Sequence, residues 1–284
     1  MCGICGYLHK DSDKIVNKEV IKRMNDSLVH RGPDQEGFYL NNNVAFGHRR
    51  LSIIDLSTGE QPMFNEDKSI VLIFNGEIYN YIELRDELKK LGCNFYTNSD
   101  SEVILRAYET WGIECQNRFN GAWSFAIWDD RLQQLFLSRD RIGEKPLFYT
   151  YWNDTLVFAS EIKAIEKYGV PLEPRSELLE LYLFFTNIPG PDTFYKDIFK
   201  LKPGHYLLYK NGKYSEHQYW DLPYTEEGRM LKNTKQVYEE FEYLFRDAVK
   251  LQMRSDVPYG AFLSGGLDSS SIVALMAEQS SFPI

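Results

Sequence analysis

The chain has 284 residues, of which 43% are hydrophobic and 26% charged, enough for one large domain or for one domain and part of another. Its net charge of −9 disfavours nonspecific binding to nucleic acid or to an anionic membrane. It contains no apolar run of about 18 residues and no signal-peptide pattern, and it has only four cysteines, so we expect a cytoplasmic protein with neither a membrane span nor a disulfide framework.

The first predicted elements alternate between strand and helix. A strand is predicted over residues 3–9 and an amphipathic helix over 18–29, where Val20, Met24 and Leu28 recur every four residues. The loop "HRGPDQEG" follows, and the apolar run "SIVLIFNG" predicts a further strand. Two helices come next, one marked by Leu84, Leu88 and Leu91 and ended by Gly92, the other marked by Ile104, Ala107, Tyr108 and Trp111.

Hairpins are predicted from Trp123 to Trp220. The segments "WSFAIW" and "QLFLSR" form one, and "PLFYTYWNDTLVFAS" forms another that turns at Asn153-Asp154. The third is "HYLLYKNGKYSEHQYW", where Asn-Gly is typical of a type I′ turn. Many antiparallel strands with a few helices predict an α+β domain over residues 2–220.

A second domain is predicted to begin near the end of the sequence. Residues 221–233 are polar and irregular and are interpreted as a linker. From residue 234 the pattern predicts a long helix, a short strand ("YGAFL"), a glycine loop ("SGGLDSS") and a helix ("SIVALMAEQ"). This order is typical of an α/β parallel-sheet domain, of which residues 234–284 would be an incomplete beginning.

The start of the sequence, "MCGICGY", places a cysteine second. If Met1 is removed, Cys2 carries a free α-amine of pKa about 7.7–8.0 beside its thiol, and this amine can act as the base for its own side chain. The C-x-x-C pair formed with Cys5 is the alternative, but one pair does not complete a four-ligand zinc site. An ordinary residue near a terminus is a third interpretation.

Other residues offer the remaining groups that acyl transfer needs. Asn75 and Gly76, placed after a buried strand, could donate to an oxyanion, and Glu77 could accept from a substrate ammonium. Arg50 could bind a carboxylate in bidentate fashion. Asp100 stands at a helix start, where an N-cap is the alternative role. Each residue also has an ordinary structural interpretation.

Taken together, several motifs resemble the glutaminase domain of class II glutamine amidotransferases. They are "MCGICGY", "HRGPD", "GHRRLSIIDLSTGEQP", "FNGEIYNY", "TNSDSEVIL" and "SRDRIGEKPLFY", and they are most similar to the glutamine-hydrolysing asparagine synthetase family. The resemblance implies a four-layer αββα sandwich of two antiparallel sheets, in which Arg31 and Asp34 belong to a structural loop. It also implies roles for six residues: Cys2 as the nucleophile that forms a thioester, Asn75 and Gly76 as the oxyanion hole, and Arg50, Glu77 and Asp100, with Asn75 and Gly76, as the glutamine site.

The glycine loop resembles the pyrophosphate loop of ATP pyrophosphatases. The resemblance implies an ATP site with Mg²⁺ shielding the phosphates, aspartate as the acceptor, and often a homodimer; it implies no cofactor for the glutaminase half and no metal site. Amidation of another carboxylate, in a surface sugar or a secondary metabolite, stays open, as does a non-enzymatic glutamine- or zinc-binding module. The residues predicted to contact ATP are Leu263, Ser264, Gly265, Gly266, Asp268 and Ser269.

Overall fold

The computed structural model describes residues 1–223 and 233–284 of the chain. These residues divide into two compact units, Met1–Asp221 and Leu222–Ile284. Most of the predicted linker, residues 224–232, lies outside the described residues.

The first unit contains two six-stranded sheets in which all neighbouring strands are antiparallel. In chain order the strands are β1 (Gly3–His9), β2 (Gln35–Asn41), β3 (Val44–Arg50), β4 (Met63–Phe64), β5 (Ile70–Ile78), β6 (Gly121–Asp129), β7 (Gln134–Arg139), β8 (Phe148–Trp152), β9 (Thr155–Ala159), β10 (Phe199–Lys200), β11 (His205–Lys210) and β12 (Lys213–Gln218).

The first sheet has the order β10-β8-β9-β1-β3-β2, and the second has the order β12-β11-β7-β6-β5-β4. The strand β1 is therefore central in its sheet, with Cys5 opposite Gly47 of β3 on one side and opposite Ala159 of β9 on the other. In the second sheet β5 pairs along its whole length with β6, so that Asn75 lies opposite Ser124.

Seven helices and two short 3-10 segments are present in the described part of the chain. They are α1 (Lys18–Asp26), α2 (Tyr81–Lys90), α3 (Asp100–Trp111), α4 (Ile162–Tyr168), α5 (Leu179–Phe185), α6 (Thr234–Gln252) and α7 (Leu267–Gln279), with the 3-10 segments Gly112–Arg118 and Ser176–Leu178.

Alternation along the strands produces four layers in the first unit. On β1, Leu8 faces the second sheet and packs with Ile73 and Trp128, whereas Tyr7 faces outward and packs with Ile21 of α1 and residues of α4. The helices α2 and α3 cover the outer face of the second sheet. The predicted αββα sandwich is therefore confirmed.

The helix α1 is shorter than the predicted span of 18–29. It begins after Asn17, whose side chain accepts the Glu19 N–H at 2.8 Å, and it ends at Asp26. Beyond that residue the Leu28 N–H donates to Asn25 O, a tighter turn that still buries the leucine completely. The apolar periodicity thus continued past the helix itself.

The second unit contains α6 and α7, and the strand predicted for "YGAFL" is wrong. Residues 259–263 form neither a helix nor a strand, and Phe262 is fully exposed. A parallel strand has hydrogen-bond partners only inside a sheet, and the described residues of the second unit contain no strand that pairs with this segment. The unit's small apolar cluster lies between its helices instead, around Val249, Leu275 and Met276.

Candidate active site

A cavity of about 120 Å³ lies in the first unit, where the start of β1 meets the middle of β5. Its lining brings together all six residues that the sequence proposed for glutamine chemistry, although they come from four separate segments of the chain. These six residues are Cys2, Arg50, Asn75, Gly76, Glu77 and Asp100.

Cys2 precedes β1 by one residue and continues its alternation. It lies on the same side as Ile4, towards the second sheet, whereas Cys5 is fully buried on the opposite side among the residues that contact α1. Residues three apart in an extended strand face opposite ways, so these two thiols do not form a chelating pair. The zinc alternative for this C-x-x-C therefore has no geometric support.

The Cys2 thiol is held by the backbone of Leu51. The Leu51 N–H lies 3.4 Å from Sγ, and Sγ lies 3.6 Å from Leu51 O. Burial raises the pKa of the thiol, and the contact with the Leu51 backbone opposes this rise. Burial also lowers the pKa of the Met1 amino group beside it. The surroundings thus favour neutral forms of both a thiol and an amine.

The backbone around Cys2 is fixed by two further segments. The Arg31 Nε donates to Cys2 O at 2.8 Å, and the Ile4 N–H donates to Ser160 Oγ at 3.0 Å. Asp34, from the same loop as Arg31, accepts the Ser52 N–H at 2.8 Å. The predicted structural role of the "RGPD" loop agrees with this geometry, because the loop contacts both Cys2 and the segment beside it.

Asn75 and Gly76 lie inside β5 rather than after a strand, which corrects the predicted position. The Asn75 side chain is fully buried; its Nδ2 donates to Ser124 Oγ at a long 3.4 Å, and its Oδ1 has no partner among the described residues. A Cβ built on Gly76 would lie 2.1 Å from Ala122 O, so only glycine fits there.

The Gly76 N–H is directed to the edge of β5 that faces away from β6. In an antiparallel strand the N–H groups of alternate residues point to the same edge. The Phe74 N–H donates to Gln61 Oε1 and the Ile78 N–H donates to Asp100 Oδ2, so the Gly76 N–H shares the edge of these two. The strand β4 reaches only Leu72 along this edge. The arrangement can therefore present an amide donor to a ligand.

The Arg50 guanidinium lies at the wall of the cavity and is only 3% exposed. It donates to the carbonyl oxygens of Ile54 and Asp55 and to Gln35 Oε1. These bonds wrap the loop after β3 around the cation. A Cβ on Gly59 would lie 2.5 Å from Arg50 Nη2, so that glycine gives the guanidinium its room.

Two acidic side chains also line the cavity. Asp100 is the first residue of α3, whose N-cap is Ser99, so the N-cap alternative for Asp100 is wrong. Burial raises the pKa of Asp100 to about 7, and it also raises the pKa of Glu77. Neither carboxylate forms a salt bridge with any residue that the structure describes. Two desolvated acids, of which Glu77 is also close enough to Lys145 for that cation to oppose the rise of its pKa, form a suitable environment for an ammonium group.

Two further lining residues were not predicted from the sequence. Lys145 is placed by the loop after β7, where the Asp140 carboxylate accepts the Lys145 and Glu144 N–H groups at 2.9 Å. Gln61 bridges Phe74 and Ser101. Both residues belong to quoted motifs, "SRDRIGEKPLFY" and "STGEQP", which were the only signal for them.

The predicted ATP loop lies in the second unit, just before and within the first turn of α7. Gly265 has φ +81°, and Gly266 is the N-cap. The hydroxyls of Ser264 and Ser269 lie 2.9 Å apart, and the Ser269 hydroxyl donates to Gly266 O. Leu263 is exposed, and Asp268 lies in the first helical turn. The predicted residues therefore lie close together around the start of α7.

The described ranges contain no group of three His, Cys, Asp or Glu residues arranged to hold a metal ion. Within the same ranges, no helix combines the length and the apolar character that crossing a membrane requires.

Two family models match the chain. The model of the glutamine amidotransferase domain matches residues 1–220, and the model of asparagine synthase matches residues 240–284.

Similar curated proteins carry related names. A putative glutamine-hydrolyzing asparagine synthetase 2 of Methanocaldococcus jannaschii is 41% identical over 98% of this chain and 57% of its own length. The glutamine-hydrolyzing asparagine synthetase 1 of Bacillus subtilis is 40% identical over 98% of this chain and 44% of its own length. Amidase chry2 of Gibberella zeae is 36% identical over 98% of this chain and 43% of its own length. The chain therefore spans about half the length of the curated relatives it matches.

Solved structures share the fold at low identity. The glutamine phosphoribosylpyrophosphate amidotransferase of B. subtilis has a TM-score of 0.58 at 18% identity and covers 99% of this chain and 65% of its own. An allosteric regulatory enzyme of purine biosynthesis has the same TM-score at 19% identity, over 77% of this chain and 49% of its own.

Proposed function

The chain belongs to the glutamine amidotransferase domain family, and from this premise we propose that its first unit hydrolyses glutamine to glutamate and ammonia through a thioester on Cys2. The observation that supports this assignment most is the cavity in which a cysteine, an amide edge, an arginine and two buried acids converge.

The proposed reaction requires removal of Met1, which turns the Cys2 nitrogen into a free amine. The Cys2 sulfur attacks the carboxamide carbon of glutamine while the amine takes the thiol proton and passes it to the leaving nitrogen. A C–S bond forms, the C–N bond breaks and ammonia leaves. Water then attacks the thioester carbonyl, the C–S bond breaks, and glutamate leaves as the thiol regains its proton.

The other residues of the cavity would bind and orient the substrate. The Gly76 N–H and the Asn75 carboxamide would donate to the tetrahedral oxyanion. Arg50 would bind the α-carboxylate, and Glu77 and Asp100 would accept from the α-ammonium. An incoming ammonium would lower the raised pKa values of both acids, so binding and ionisation would support each other.

For the whole protein we propose glutamine-dependent synthesis of asparagine from aspartate and ATP. The match of residues 240–284 to asparagine synthase and the names of two relatives support this acceptor. The hydroxyls of Ser264 and Ser269 and the open backbone at Gly265 suit a polyphosphate, which Mg²⁺ would accompany as part of the substrate. Placement in the cytoplasm and a homodimer are also part of this proposal.

Amidation of another carboxylate is the second candidate. The relative named amidase chry2, and another named amidase chyE of Penicillium rubens, are 36% and 33% identical over 98% of this chain. An acceptor screen with the full-length protein, comparing aspartate with sugar and other carboxylates, separates the two candidates.

Glutamate release from glutamine by the purified chain tests the core of the proposal. Chains whose mass shows that Met1 is absent are expected to release glutamate and ammonia in equal amounts, and the Cys2→Ala variant is expected to release neither. A processed wild-type chain that binds glutamine without hydrolysing it would support the non-enzymatic binding module instead.

A further inference from the structure

The Arg31 side chain links the cysteine backbone to a carboxylate that follows β9, the strand that pairs with the start of β1. Its Nε donates to Cys2 O at 2.8 Å, and its Nη1 donates to Glu161 Oε1 at 3.1 Å. The arginine side chain is only 9% exposed. Glu161 lies two residues after the end of β9 and occupies the N-cap position of α4 without a side-chain capping bond, more than a hundred residues from Cys2 and Arg31 in sequence.

Glu161 is the only acidic partner of Arg31 among the described residues. The Arg31 Nη2 is buried and has no hydrogen-bond partner in the described ranges. The cation therefore depends on one carboxylate for its charge balance and for its orientation. A guanidinium is planar and rigid, so fixing Nη1 also fixes the direction in which Nε points.

We propose that Glu161 is a positioning residue for the cysteine, acting through Arg31 to hold the Cys2 carbonyl and thereby the direction of the thiol. This inference rests on the proposed glutaminase function. Without the Glu161 carboxylate, the nearly buried Arg31 cation is unpaired and turns towards solvent, and the Cys2 backbone loses a charge-assisted hydrogen bond.

Two other side chains contact Glu161 but do not reach the cysteine. His30 Nε2 lies 2.9 Å from Oε1, and Lys163 Nζ lies 3.0 Å from Oε2. Both side chains are about half exposed, with 50% and 44% of their surface accessible. Because exposed ion pairs contribute little, we expect their removal to leave hydrolysis nearly unchanged.

The test compares glutamine hydrolysis by the wild-type chain, Glu161→Ala and Glu161→Gln. Misplacement of a reacting group can cost up to about a hundredfold in rate, so we expect kcat of Glu161→Ala to fall about tenfold while KM stays within about twofold. Glu161→Gln keeps an acceptor oxygen for Arg31 but not the charge, so it should recover only part of the loss. Glu166→Ala, in α4, is the matched control, because within the described residues this glutamate forms its ion pair with Lys167.

A double-mutant cycle shows whether Glu161 acts through Arg31. The Arg31→Lys variant lacks a guanidinium that can contact Cys2 O and Glu161 at once. In this background Glu161→Ala should reduce kcat no further. An independent loss that multiplies with that of Arg31→Lys would overturn the inference, as would a wild-type kcat in Glu161→Ala.

The variants of Glu161 can separate an effect on folding from an effect on glutamine hydrolysis. If Glu161→Ala does not fold, Glu161→Asp carries the same test, because it keeps the charge but withdraws the acceptor by one methylene group. A loss of about threefold or more at an unchanged melting temperature supports the inference, and a wild-type kcat contradicts it. A wild-type chain without glutaminase activity refutes the proposed function itself, whereas an active wild type with an equally active Glu161→Ala refutes only the positioning role.

Discussion

Asp100 shows how a single residue can be costly for folding and suited to binding. Its side chain is 5% exposed, and its pKa is raised to about 7 by burial, with Glu77 as a nearby negative charge. The folded state therefore binds more protons than the unfolded state between about pH 4 and pH 7. Stability contributed by this residue falls as the pH rises through that window.

Replacing Asp100 with Asn should stabilise the protein at high pH. The Asn Oδ1 can still accept the Ile78 N–H, and the buried charge disappears. We therefore expect the free energy of unfolding to rise by ~2 kcal/mol at pH 8, and the increase to shrink towards zero near pH 4. The same change should raise KM for glutamine, because an ammonium partner is lost. Thermal unfolding at pH 5 and pH 8 measures the first effect.

The control for this prediction is Asp86→Asn, at an exposed position of α2. It should change the melting temperature little at either pH. If Asp100→Asn changes the melting temperature equally at both pH values, the destabilisation caused by Asp100 does not come from its buried charge.

Gly59 is the second residue with a specific expected effect. A Cβ at this position would lie 2.5 Å from Arg50 Nη2 and 2.9 Å from Asp55 O, so Gly59→Ala displaces the guanidinium from the cavity wall. We expect KM for glutamine to rise by about tenfold with kcat less affected, because a binding contact is lost in ground and transition states alike.

Steady-state kinetics of Gly59→Ala measure this effect, and Gly260→Ala serves as the control because its new Cβ would meet no atom within 4 Å. An unchanged KM would argue against Arg50 as the group that binds the substrate.

At the residue scale, the sequence predicted those residues of the cavity that belong to short motifs. Cys2, Asn75, Gly76 and Asp100 could be named because they stand in recognisable stretches, and the structure brings them into one cavity. Glu161 could not be named in this way. Its link to Cys2 passes through Arg31 and joins parts of the chain that only the completed sheet brings together.

At the scale of elements, local turn chemistry was the most reliable guide. Asn211 and Gly212 have φ values of 52° and 73°, as a type I′ turn requires, and they join β11 to β12. The strands β2 and β3 were not predicted, because β2 is only half buried and β3 carries Arg49 and Arg50 in its last positions. Their pairing with β1 depends on tertiary contacts that the alternation pattern did not reveal.

The turn offers a stability test that should leave activity unchanged. In Gly212→Ala the new Cβ has room, because the nearest atom, Lys10 Cγ, lies 3.4 Å away. Only the positive φ disfavours alanine, so we expect the free energy of unfolding to fall by ~1 kcal/mol. Lys213→Ala, at the exposed next position, is the control. Denaturant unfolding measures the difference, and a loss in Lys213→Ala equal to that in Gly212→Ala would contradict the explanation.

The segment "YGAFL" shows that a local apolar pattern does not by itself predict a strand. An apolar run of this length is compatible with a buried strand, but a strand also needs a neighbour with which to pair. The part of the second unit that the structure describes contains no strand to provide one, and the segment is irregular.

At the scale of the whole molecule, every residue proposed for glutamine hydrolysis belongs to the first unit, Met1–Asp221. That unit contains three apolar clusters between its four layers, so it has its own core. We therefore expect a chain ending at residue 221 to unfold cooperatively and to keep glutaminase activity within about twofold of that of the longer chain.

Circular dichroism melting and glutamate release from the shortened chain measure these two properties. A shortened chain that melts cooperatively but does not hydrolyse glutamine would show that the second unit takes part in the reaction.

Covalent labelling of Cys2 by a diazo-ketone analogue of glutamine is the most direct test of the central claim. The account predicts one adduct per processed chain, located by mass spectrometry on Cys2, with protection by glutamine and none on the equally processed Cys2→Ala variant. A processed, folded chain that stays unlabelled, or that is labelled at Cys93 instead, would contradict it.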